Sequence, residues 1–147
     1  MRVVLQRVLG ASVALSADPS RSAKIGRGYA LLVGVAIGDT ESEVRRLVVE
    51  VSKLRLMEDA AGKMSLTVQD VAGEVLAVSQ FTLLADFSKG NRPSFHRAAK
   101  AEVARPLFDL FVHELGQALG KPVRTGFFGE DMRVEIVNDG PVTVVLE

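Results

Sequence analysis

The chain has 147 residues, 48% of them apolar and 24% charged, with no cysteine and with 18 basic side chains against 18 acidic ones. That is enough apolar material for the core of one globular domain, expected to span residues 1–147. The composition excludes a disulfide framework and a thiolate metal site, and zero net charge weighs against a broadly basic nucleic-acid binder.

Val3–Leu9 reads as a strand, and Gly10-Ala11 as a two-residue turn with glycine first. Ser12–Ser16 alternates and is expected to pair back as a hairpin. The first seven residues lack the apolar run and cleavage site of a signal peptide, so the cytoplasm is the expected location. Asp18–Ser22 carries loop chemistry. Gly28–Ile37 is a nearly continuous apolar run suited to a central strand buried on both faces. It is far short of the roughly 20 residues that span a bilayer, and no membrane association is expected.

A helix is expected after Gly38. Thr40 and Glu43 fit a capping box, and Val44, Leu47, Val48, Val51 and Leu54 recur at helical spacing. Asp59–Gly62 ends this unit in a turn. Val75–Leu83 reads as a second buried strand with polar residues at its end, and Ser88–Ser94 as a Gly/Pro loop. A second helix is expected over Val103–Leu119, either starting near Pro106 or kinked by it, and stopped by Gly120 and Pro122. Met132–Val137 and Val142–Leu146 read as two strands separated by a tight turn at Asn138–Pro141. The fold class that follows is α+β: an antiparallel or mixed sheet curled toward a barrel, with two main helices packed on it.

The sequence contains no phosphate loop, dinucleotide fingerprint, HExxH or GxSxG motif. His113 lies off the apolar stripe of the second helix and reads as a solvated histidine. With few ligands of the usual kinds, neither a metal nor a cofactor is expected. Two segments remain. Ser79-Gln80-Phe81-Thr82 ends a strand of Val, Leu and Ala; it is either a strand leaving the core or the floor of a pocket. Asn138–Thr143 is either an ordinary turn or a functional corner, since proline permits a cis peptide at a cost of only about 0.5–1 kcal/mol. Lys89, Arg92, His96, Arg97 and Lys100 form either a local basic patch or a solvated surface segment.

Taken together, these motifs resemble the D-aminoacyl-tRNA deacylases over nearly the whole chain. The similar segments are Met1–Val8, Gly62–Met64, Val78–Leu83, Lys89–Phe95, Thr125–Gly129, Met132 and Val137–Thr143. The pairing of SQFTL with NDGPVT is the specific part. Three residues depart from the family pattern: Ser65 where asparagine is common, Glu130 where a small residue is common, and Pro106 inside the second helix.

The resemblance implies hydrolysis of the ester bond of D-aminoacyl-tRNA, and of mischarged glycyl-tRNA, as chiral proofreading in translation. It implies that Ser79, Gln80, Phe81 and Thr82 surround the ester at the acceptor end. Water attacks, backbone N–H groups near Phe81 and Thr82 hold the oxyanion, and the 2′-hydroxyl of the terminal ribose takes part. Thr82 as a nucleophile is the other possibility, though no base is evident to activate it. Gly140 and Pro141 are implied to form a Gly-cisPro corner that reaches into the partner's site of a homodimer and excludes L side chains. Arg7 is implied to hold that corner, and Met132 to line the pocket. The alternatives are a small-molecule D-amino-acid esterase or amidase and a non-catalytic oligomeric binding module.

Overall fold

The computed structural model describes residues 1–147. Its strands are β1 (Arg2–Leu15), β2 (Ser22–Ile25), β3 (Gly28–Gly34), β4 (Met57–Glu58), β5 (Met64–Leu66), β6 (Glu74–Ser79), β7 (Arg124–Thr125) and β8 (Met132–Leu146). Its helices are α1 (Glu41–Lys53) and α2 (Ala101–Leu119). A 3-10 turn, Phe81–Leu84, follows β6. β1 pairs antiparallel with β8 along one edge, and with β3 and then β2 along the other. β3 continues in parallel to β6, and β6 to β7. The result is a mixed, nearly closed sheet with both helices against one face, while β4 and β5 form a separate small hairpin.

β3 is the central strand, and it is buried on both faces because each face meets a different core. Tyr29, Leu31 and Val33 join Val3, Leu5, Val75 and Ala77 under Val44, Leu47, Phe108, Phe111 and Leu115 of the helices. Ala30 faces the barrel interior with Val8, Val13, Ile25, Leu76 and Val78. α1 starts at the capping box, with Thr40 accepting from the Ser42 N–H and Glu43 from the Thr40 N–H at 2.8 Å. No helix is long and apolar enough to cross a membrane.

Five expectations need correction. The strand expected over Gly28–Ile37 ends at Gly34, and Ile37 is exposed where the chain turns toward α1. β1 does not turn at Gly10-Ala11; it runs on to Leu15, and Ser12–Leu15 pair with β8 and β2 instead of with Val3–Leu9. The apolar alternation changes phase at Arg7 and Val8, both buried, as the strand passes from the helix-side core to the barrel interior. β8 is likewise one strand, whose two halves both pair with β1 in the same direction. From Gln6–Thr143 to Val8–Asn138, β1 advances two residues and β8 five, so Asn138–Pro141 is an outward bulge and not a reversing turn. The Asn138 side chain spans it, accepting from the Val142 N–H at 2.9 Å and donating to Thr143 Oγ1 at 3.2 Å.

The other two corrections concern β6 and α2. β6 ends at Ser79, because the chain folds into the 3-10 turn over Gly34. α2 begins at Ala101 and passes through Pro106. The missing proline N–H would have met the Glu102 carbonyl in the first turn, where both residues are exposed and water can take its place.

Candidate active site

β6 leaves the sheet at Ser79, whose neighbour on β3 is Val33. The Gln80 N–H still bonds the Val33 carbonyl at 2.8 Å, but its own carbonyl already belongs to the turn and accepts from Leu83 at 3.3 Å. The N–H groups of Phe81 and Thr82 therefore open a 3-10 turn with no acceptor inside it. Both residues are exposed. Thr82 Oγ1 accepts a short hydrogen bond from Gln80 Nε2.

This strand end divides two spaces. On the barrel side, an open cleft of about 420 Å³ is lined by Ser79, Gln80, Phe81 and Thr82 on one wall and by Gly129–Met132 on the other. On the helix side, a small apolar cavity of about 70 Å³ lies between Ser79, Gln80 and Phe81 and the Ala104–Phe108 face of α2. Met132 is held in the cleft wall by the Phe127 N–H, which points at its sulfur at 3.1 Å. Phe127 and Phe128 lie under the guanidinium groups of Arg21 and Arg105 at 4.9 and 4.7 Å, and Phe128 lines the apolar cavity. Phe95 packs edge-on against Phe81 at 4.9 Å.

The structure thus brings Ser79, Gln80, Phe81, Thr82 and Met132 together at one cleft. It places Arg7, Gly140 and Pro141 elsewhere. Arg7 pairs with Tyr29, four residues from Val33 along β3, which is about 13 Å of strand, and the corner lies three strands across from Ser79. The Gly140–Pro141 bond is cis, and both residues are exposed. Beneath them Arg7 is the only buried charged side chain. Its Nε donates to the Asp139 carbonyl at 3.1 Å, Nη1 to the Leu56 carbonyl at 2.9 Å and Nη2 to Glu58 Oε1 at 3.0 Å. Burial pushes the neighbouring Tyr29 phenol above its ordinary pKa.

Residue-type reasoning assigned no role to Gly129, Asp131 or Phe95, although Thr125–Gly129 and Lys89–Phe95 stood out as motifs. Glu130, one of the departures, lines the cleft beside Met132. Ser65, another, donates to Asp59 Oδ2 at 2.7 Å and helps hold the Asp59 carboxyl below its ordinary range. His113 is exposed, and no cluster of three histidine, aspartate or glutamate side chains has the arrangement of a metal site.

A family model described as D-Tyr-tRNA(Tyr) deacylase matches residues 4–147. The chain belongs to this deacylase family. Among its relatives, the D-aminoacyl-tRNA deacylases of Chlorobium limicola and Chromobacterium violaceum are 53% and 54% identical, each over the whole chain and 97% of the relative. A solved structure titled c-Myc DNA Unwinding Element Binding Protein superposes with a TM-score of 0.91 at 40% identity, covering 100% of this chain and 98% of that one. A probable eukaryotic D-amino acid tRNA deacylase shares the fold at 19% identity, with a TM-score of 0.84 over 99% of this chain and 97% of that one. The family's members are ester hydrolases that release the amino acid from tRNA.

Proposed function

We propose that the protein hydrolyses D-aminoacyl-tRNA, and mischarged glycyl-tRNA, in the cytoplasm, as a homodimer with cross-subunit sites. The observation that carries this reading is the strand end at Ser79–Thr82, where two N–H groups without acceptors in their turn open onto a cleft. Water attacks the ester carbonyl, and the carbonyl oxygen becomes an oxyanion held by the Phe81 and Thr82 N–H groups. Such preorganised donors are worth about 2.7–4 kcal/mol each. Collapse of the tetrahedral intermediate returns the electron pair to the carbonyl and expels the ribose 3′-oxygen, which receives the proton given up by the attacking water, relayed through the vicinal 2′-hydroxyl.

Chirality is set by exclusion. Each protomer's Gly140–Pro141 corner is exposed, lies three strands from its own cleft and is held from beneath by Arg7. In the dimer it enters the partner's cleft, where its carbonyls accept from the substrate ammonium and leave no room for an L side chain. Glycine, with no side chain, passes as well. Exposed Leu9, Val137 and Val145 flank the corner along the β1–β8 edge and supply apolar surface for a second copy.

Incubation with D-tyrosyl-tRNA and L-tyrosyl-tRNA tests this reading. Rapid loss of the D ester alone is expected. Equal loss of both would remove the exclusion argument, persistence of the D ester would remove the enzyme, and equal efficiency on a simple D-tyrosine ester would favour a small-molecule esterase.

Thr82→Ala separates the two roles considered for Thr82. Its hydroxyl is engaged by the Gln80 amide and no side-chain base bonds to it, so the oxyanion is held by backbone groups that alanine retains. Turnover is expected to fall without vanishing. Complete inactivity in a folded variant, or a trapped acyl-Thr82, would restore the nucleophile.

A further inference from the structure

The segment between the 3-10 turn and α2 makes an excursion that the ester chemistry leaves unused. Asp86 and Ser94 close its base by exchanging backbone hydrogen bonds of 2.8 and 2.9 Å, and every residue from 87 to 94 is exposed. Between Phe87 and Arg97 there is no carboxylate at all. The structure divides the basic side chains here into two groups. Arg97 faces the Asp86 carboxylate at 3.5 Å and is partly neutralised by it, and the His96 ring lies 3.6 Å from the same carboxylate. Lys89 and Arg92, on the excursion itself, take part in no ion pair and point no charge at the rest of the chain.

Two further observations give this excursion a direction and a partner. Its base is joined to the cleft through Phe95 on Phe81, while the opposite wall of the cleft carries Glu130 and Asp131. An anionic chain approaching the ester site is repelled on one side and attracted on the other. Phe87, two residues before Lys89, is 58% exposed and makes no aromatic or cation–π contact within the chain. Free cations interleaved with an exposed aromatic ring are what single-stranded nucleic acid requires: phosphate contacts that position, and a platform on which a base stacks.

We propose that the Phe87–Pro93 excursion docks the single-stranded 3′ end of tRNA, with Lys89 and Arg92 on its phosphates and Phe87 stacked on a base. The inference rests on the deacylase reading for the identity of the RNA, but its contacts are separable from the ester chemistry.

The test is fluorescence anisotropy with a labelled single-stranded ACCA oligonucleotide and with uncharged tRNA, on the full chain and two variants. Lys89→Ala/Arg92→Ala is expected to bind at least tenfold more weakly near 0.1 M salt. Its log–log salt slope should be shallower by about 1.4, two contacts at about 0.7 each for a single strand. Phe87→Ala is expected to weaken binding about fivefold or more and leave the slope unchanged, because stacking releases no counterions. Wild-type affinity and slope in the double variant would overturn the proposal.

Deacylation supplies the second readout. KM for D-tyrosyl-tRNA should rise in the double variant, whereas KM for D-tyrosyl-adenosine, which carries no phosphate, should move less than twofold. An equal rise on both substrates would mean that the excursion acts through Phe81, and would also overturn it. A wild-type protein that binds the RNA through this loop and hydrolyses neither ester would support the docking site and remove the deacylase reading instead.

Discussion

Arg7→Ala is expected to lower the melting temperature by roughly 10 °C and to slow D-aminoacyl-tRNA hydrolysis while the fold persists. Each buried acceptor left without its donor costs about 1–3 kcal/mol, and a domain of this size loses about 2–4 °C per kcal/mol. The guanidinium reaches three acceptors in three directions: the carbonyls of Asp139 and Leu56 and the carboxylate of Glu58. It also lies 3.3 Å from the Asp139 carboxylate. Alanine leaves two carbonyls underneath a tight corner without donors and frees the bulge at Asn138–Pro141 to move. Lysine should restore little, since a single ammonium on a flexible stem cannot replace a planar fork that bonds in several directions. Circular dichroism melting and D-tyrosyl-tRNA deacylation check both halves. A melting point within about 2 °C of wild type would show that the corner does not depend on Arg7.

Local chemistry was the most readable part of the fold. The capping box at Thr40 and Glu43, the stripe of Val44, Leu47, Val48 and Val51 and the stop at Gly120 depend on neighbours in sequence and appear where the sequence places them, while Leu54, the last expected member of the stripe, is the extended C-cap. Gly120 has φ +65°, the left-handed conformation that ends a helix without a side-chain penalty. The errors lie where a distant strand decides. Gly10-Ala11 looks like a turn in isolation, but β8 pairs with both residues, Gly10 with Val137 and Ala11 with Ile136, and β2 pairs with Ala11 on the other edge, so the chain stays extended there. The same ladder converts Asn138–Pro141 from a turn into a bulge. No local pattern distinguishes three extra residues within a paired strand from a loop that reverses the chain.

The candidate site divides along the same line. The polar end of an apolar strand pointed to Ser79–Thr82, and the structure gives that segment a cleft and free N–H groups. Gly140 and Pro141 were marked by a dipeptide, but their distance from Ser79 within one protomer follows only from the register of β8 on β1 and β3 on β6. The basic cluster is divided only by the fold, because Asp86, which pairs with Arg97, lies outside the run of cations in sequence. Phe95 was visible as part of a motif, yet only its contact with Phe81 links the loop to the cleft.

Gly34→Ala is expected to reduce kcat by about 100-fold while leaving a folded protein that still binds tRNA. Gly34 ends β3 directly beneath the 3-10 turn. A Cβ there would stand 2.4 Å from Leu84 Cδ2, 2.9 Å from the Gln80 carbonyl oxygen and 3.3 Å from Leu83 Cβ. The leucine tip can rotate, but the Gln80 carbonyl is backbone and is bonded by the Leu83 N–H, so the turn must lift as a unit. Overpacking of this kind costs about 1–3 kcal/mol of stability, which the fold can tolerate. Catalysis is less tolerant: a misplacement of about 1 Å at the reacting groups costs on the order of 100-fold, and the Phe81 and Thr82 N–H groups ride on this turn. Gly26→Ala is the matched control, since its Cβ would meet only the Glu74 carboxylate at an ordinary 3.4 Å. Adding Leu84→Ala to Gly34→Ala should recover little of the rate, because it relieves the side-chain clash and leaves the carbonyl clash in place. If Gly34→Ala turns over like wild type, the oxyanion is not held by the backbone of this turn.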